Sequence, residues 1–135
     1  MSLKEKKIGK KVWMFPDAYL PAKGAQYPNS SKSKVYGHES LCIINPNSVK
    51  AKLKINFYFE KEKPIKNFNK TVDSERSLHL RLNKIKIPNH GYLPREKPYS
   101  IIVKSDKNVV IQLSRLDTTS KYNSFMSVIG WGEDV

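Results

Sequence analysis

The chain has 135 residues, 39% of them apolar and 10% aromatic, which suits one domain able to bury a core without staples and argues against disorder. Its formal net charge is +13, and the single Cys42 excludes an internal disulfide. No apolar stretch reaches membrane-spanning length, and Met1–Lys11 is charged with no apolar segment behind it, so the expectation is a soluble, cytoplasmic protein.

Residues 1–10 read as a flexible basic arm, 11–131 as the folded domain and 132–135 as a short tail. Lys11–Phe15 is a strand stopped by Pro16, and Asp17–Lys34, rich in Pro, Gly, Asn and Ser, is a long loop anchored by Tyr19 and Tyr27. Val35–Asn45 is a strand centred on Leu41–Ile44, with Cys42 as a small buried residue, and Asn45-Pro46-Asn47-Ser48 ends it as a turn. Ala51–Phe59 alternates cleanly: Leu53, Ile55, Phe57 and Phe59 face inward, Lys52, Lys54, Asn56 and Tyr58 outward. Pro64–Val72 is a weaker edge segment. In Arg76–Leu82 the inward row is Leu78, Leu80 and Leu82, with Arg76 on the same parity and Ser77, His79 and Arg81 on the other. Asn83–Pro98 is mostly loop. Tyr99–Lys104 and Val109–Leu116 read as a hairpin around the polar quartet Ser105–Asn108, and Phe125–Trp131 is the last strand. About eight short strands, without an amphipathic helix or an internal repeat, predict an all-β, single-domain antiparallel β-sandwich of jelly-roll-like type.

The cations are uneven in kind: the chain has 4 Arg among its 25 basic residues, leaving 21 Lys. Scattered lysine solvates a surface, whereas arginine in such a background is there for its planar fork. The row Val109, Ile111, Leu113, Arg115, Asp117 shares one strand face and ends in charge. Either an Arg–Asp pair closes the end of the sandwich, or the two are half of a polar binding site.

Enzymatic chemistry finds little to stand on. His38, Glu39 and His79 have no compact metal-ligand spacing, so no metal site is expected. Ser114, Ser120, His79 and Asp117 supply nucleophile and base types, but no nucleophile elbow accompanies them. Neither a P-loop nor a dinucleotide fingerprint occurs, so no cofactor and no catalytic residues are assigned. Binding chemistry is better supplied. Arg76, Arg81 and Arg115, with His38, His79, Glu39 and Asp117, offer bidentate donors and acceptors for hydroxyls or carboxylates. Trp13 and Trp131 could stack on a sugar ring, against the alternative that they pack in the core or an interface. The expected ligand-binding set is therefore Trp13, His38, Glu39, Arg76, His79, Arg81, Arg115 and Asp117. It forms one cluster, or two if the outward His79 and Arg81 serve another face.

The residues Trp13, Tyr19-Leu20-Pro21, His38-Glu39, Phe57-Tyr58-Phe59 leading to Glu62 and Pro64, Arg76, and His79-Leu80-Arg81 begin an ordered series. Leu93-Pro94-Arg95, Ser105-Asp106, Val110-Ile111-Gln112 and Arg115-Leu116-Asp117 complete it. In order and spacing this series, spanning roughly residues 10 to 130, resembles the sensory rhodopsin transducer family. The resemblance implies a β-sandwich protomer, a cyclic homotetramer, and a non-enzymatic adaptor role beside a membrane photoreceptor or other signalling partner. It also implies a site for a small sugar or anion. The alternative is a weakly specific nucleic-acid-binding protein acting through its lysines, with Tyr58 as the one outward aromatic among Lys52, Lys54 and Lys61.

Overall fold

A computed structural model describes residues 7–24, 27–28, 34–120 and 123–135. The first six residues of the expected basic arm, and most of the loop between residues 25 and 33, lie outside them. No helix forms. Eight strands join into one antiparallel sheet: β1 (Lys10–Tyr19), β4 (His38–Asn45), β5 (Ala51–Phe59), β6 (Ile65–Val72), β7 (Arg76–Arg81), β8 (Pro98–Asp117), β9 (Ser124–Ile129) and β10 (Trp131–Glu133). A separate short ribbon pairs β2 (Tyr27–Pro28) with β3 (Lys34–Val35).

β8 organises the rest. Its first half is flanked by β1 and β5, with Ile101 opposite both Phe15 and Phe57. Its second half is flanked by β4 and β9, with Leu113 opposite both Leu41 and Val128. One layer therefore reads β10-β1-β8-β5-β6 and the other β7-β4-β8-β9, and a single strand of 20 residues belongs to both. The hairpin expected at Ser105–Asn108 does not form. Those four residues carry the strand from one set of neighbours to the other, and their polar groups bond both within the stretch and to residues distant in the chain. The Asp106 carboxylate accepts the Lys52 N–H at 2.7 Å, and the Ser105 hydroxyl oxygen accepts the Lys107 N–H at 3.2 Å. A turn-like composition thus marks a bend within a strand. That bend is sharp, since Tyr99 and Arg115, which would lie about 50 Å apart on a straight strand, both bond to Glu39.

The two layers enclose one core. Leu53, Ile55, Phe57, Ile101 and Val103 come from one side, and Leu41, Ile43, Leu80, Ile111 and Leu113 from the other. The period-2 rows expected on β5 and β8 are these inward rows. Ile85, Ile87 and Leu93, from the segment expected to be loop, are also buried. Three local features differ from expectation. Pro16 does not stop β1, because the register slips between Phe15 and Ala18, and a bulge accommodates a residue with no N–H to donate. Cys42 is only half-buried, since it has the outward parity of β4. The last strand is divided at Gly130, so that β9 edges one layer and β10, running on to Glu133, edges the other.

Candidate functional site

At one end of the sandwich a carboxylate is buried completely. Glu39 lies on the inward face of β4, directly opposite Arg115 of β8, and has no exposure. Its Oε1 accepts the Tyr99 hydroxyl at 2.6 Å, and its Oε2 accepts the Tyr19 N–H at 3.0 Å and the Arg115 Nε–H at 3.2 Å. One side chain thus ties β1, β4 and both halves of β8 together. The β1 bulge contributes as well, because it brings Asp17 to Arg115, whose Nη2 lies 3.4 Å from the Asp17 carbonyl and 3.8 Å from its carboxylate. Arg115 Nη1 donates to the Met126 sulfur at 3.6 Å, and the guanidinium sits 5.9 Å from the centre of the Tyr19 ring. A buried charge is tolerable only when paired and hydrogen-bonded, and Glu39 is both. Burial, and then the Glu39 charge, push the Tyr99 hydroxyl well above its ordinary range, so it remains a donor at neutral pH.

The remaining expected site residues are spread out. Trp13 is enclosed in the core, its indole N–H donating to the carbonyls of Val109 at 3.0 Å and Lys10 at 3.1 Å. Arg76 is exposed at the far end of β4, opposite Asn45, and donates to the Glu75 carbonyl at 3.1 Å. His79 is exposed on the outer face opposite Cys42, and Arg81 lies opposite Ser40 with Nε 3.4 Å from Asn83 Oδ1. His38 is on that same outer face, its Nδ1 2.9 Å from the Tyr36 carbonyl. Burial, aided by Arg81, Lys84 and Arg95, lowers the His38 pKa against an opposing pull from the Tyr36 carbonyl. Asp117 is not the partner of Arg115. It accepts the hydroxyl and the N–H of Thr119, which lower its pKa. Of the eight residues, only Glu39 and Arg115 touch.

Tyr99, Asp17 and the Tyr19 N–H are members of the cluster that the sequence reading missed. Tyr99 was legible in principle, as a polar-tipped residue at the head of the inward row Tyr99, Ile101, Val103. Arg95 was missed too: its Nη1 donates to the carbonyls of Pro21 at 2.7 Å and Gly37 at 3.0 Å, pinning two loops. Among the described residues no buried side-chain polar atom lacks a partner, and no group of His, Cys, Asp and Glu is arranged to hold a metal. No helix among them is long and apolar enough to cross a membrane.

A second feature is apolar. The outer edges of β9 and β10 carry Phe125 and Trp131, each 67% exposed, and Ile129, 59% exposed, with Met126 and Val128 between them. Every residue of β9 is exposed, Met126 least among its large apolar residues, where its sulfur meets Arg115. An edge strand apolar on both faces is a surface that expects cover.

A satisfied polar cluster and an uncovered apolar edge thus stand on a small all-β sandwich. The family model described as Anabaena sensory rhodopsin transducer matches residues 8–132, and the chain belongs to the sensory rhodopsin transducer family. The solved structure of Thermotoga maritima 1070 is 38% identical, with a TM-score of 0.78 over 93% of this chain and 97% of that one. The solved Anabaena sensory rhodopsin transducer is 24% identical, with a TM-score of 0.65 over 80% of this chain and 89% of its own, and supports the sandwich fold. A search of curated proteins finds no match.

Proposed function

We propose that the chain is a non-enzymatic adaptor that relays the state of a sensory receptor in the cytoplasm, assembled as a homotetramer through β9 and β10. The carrying observation is the exposed strip of Phe125, Met126, Val128, Ile129 and Trp131 on edge strands, read together with family membership. Cyclic assemblies repeat one heterologous contact, which an edge apolar on both faces can supply. The Anabaena relative is named for a sensory rhodopsin, and a membrane photoreceptor is the corresponding partner here. A small carbohydrate would bind at the accessible polar groups His38, His79 and Arg81, which share the outer face of β4 and β7, while Arg115 is held by Glu39 on the opposite face. Diffuse lysine charge alone supports the nucleic-acid alternative, and it predicts binding that ignores sequence and fades with salt.

Light scattering tests the assembly, which should weigh about four times the 15.6 kDa chain. Combined Ile129→Ser and Trp131→Ser should leave the fold intact and yield smaller species. A wild-type monomer at micromolar concentration would overturn the assembly. Failure of the wild-type protein to alter the photocycle of a reconstituted rhodopsin from the same cell would overturn the receptor assignment.

A further inference from the structure

The outer face of the other layer carries a charge pattern that the adaptor reading does not use. Lys54 of β5 stands directly opposite Lys104 of β8, and Lys52 lies two residues along the same face. Like charges directly opposite one another in a sheet destabilise it. All three lysines are exposed, and among the described residues none is ion-paired. They line a hollow of about 440 Å³, whose other side is formed by Asn69 and Thr71 of β6, opposite Lys54 and Lys52.

We propose that this hollow binds a small anion carrying two or more phosphoryl groups. The cations are spaced for it. Neighbouring strands put Lys54 and Lys104 about 5 Å apart at the backbone, and Lys52 sits roughly 6.6 Å along the strand, so the positive charge spans more than one tetrahedral oxyanion. The volume lies in the range of small-molecule sites and exceeds what a lone phosphate fills. The Thr71 hydroxyl and the Asn69 amide add neutral donors. Carboxylates bound the patch. Asp106 lines one end and is engaged by the Lys52 N–H. Beyond Lys104 the row continues through Val12 to Glu133, which accepts the Trp131 indole N–H. Positive charge gathered in one hollow, with Lys70 also in its lining and carboxylates on two sides, suits a compact ligand, whereas a nucleic-acid backbone needs an open track of cations.

Calorimetric titration of the full chain with inorganic tripolyphosphate at low ionic strength tests the site. Lys54→Gln with Lys104→Gln should weaken binding at least about tenfold, as expected on losing two charge-assisted contacts. Lys84→Gln with Lys86→Gln removes the same charge from an exposed loop and should change it less than about twofold, since remote exposed charges are screened. ATP binding as tightly as tripolyphosphate identifies the phosphate chain as the recognised part, while tighter ATP binding identifies a nucleotide. Without ligand, Lys54→Gln alone should melt above the wild type, because the opposed charges are relieved. Equal losses in both double variants, no binding by the wild type, or binding of duplex DNA only would each overturn the site.

Discussion

Truncating Arg115 to alanine isolates the buried carboxylate. Glu39 would keep its bonds from the Tyr99 hydroxyl and the Tyr19 N–H but lose its counter-charge, in a position with no solvent exposure. Removing one partner of a buried pair costs on the order of 3–5 kcal/mol, and the two surviving donors place this case near 3. For a domain of this size that is roughly a 10 °C fall in Tm, read by circular dichroism with a urea titration beside it. Arg115→Lys retains the charge without the fork and should lie between the wild type and Arg115→Ala. Apolar replacement of the Glu39–Arg115 pair alone should not rescue stability, because the Tyr99 hydroxyl and Tyr19 N–H would then be orphaned. A fall of less than about 1 kcal/mol in Arg115→Ala would refute the argument that Arg115 neutralises Glu39.

Asn45 is buried and its amide donates to the carbonyls of Val49, Val72 and Asp73, so Asn45→Ala should cost about 3 kcal/mol in chemical denaturation. At Gly130 an added Cβ would come within 2.6 Å of the buried Phe15 ring, and Gly130→Ala should cost about 1–3 kcal/mol by overpacking, read as a lowered Tm. The His38 pKa is lower in the folded protein than the ordinary 6.5, so the unfolded chain binds more protons between the two values. Its contribution is full above pH 6.5 and is lost as pH falls through the folded value, so His38→Gln should flatten the slope of Tm against pH in that window.

The parts of the fold that obey a two-residue period were readable from the chain. The inward rows of β5, β7 and β8 are set by alternation, and each stands where that alternation puts it. The bend in β8 was not readable as such, because Ser105-Asp106-Lys107-Asn108 has the composition of a turn and only its long-range partners, Lys52 and the ends of β4 and β5, show that the strand continues. Pro16 misled for a related reason: a missing N–H ends a regular strand but is harmless in a bulge. Near the site, the order of residues made Arg115 conspicuous and Asp117 its nearest acid. The actual acid, Glu39, comes from a strand 76 positions away, and local spacing carries no information about that pairing.

Because β8 is central to both layers, the sandwich has no seam along which one half could swing against the other. Opening either layer strips hydrogen bonds from the same strand, so the amides of Ile101 and Ile111 should exchange with solvent in one global event rather than two local ones. On the adaptor reading proposed above, a signal would then pass through movement of the entire body, or through the remaking of contacts at its edges.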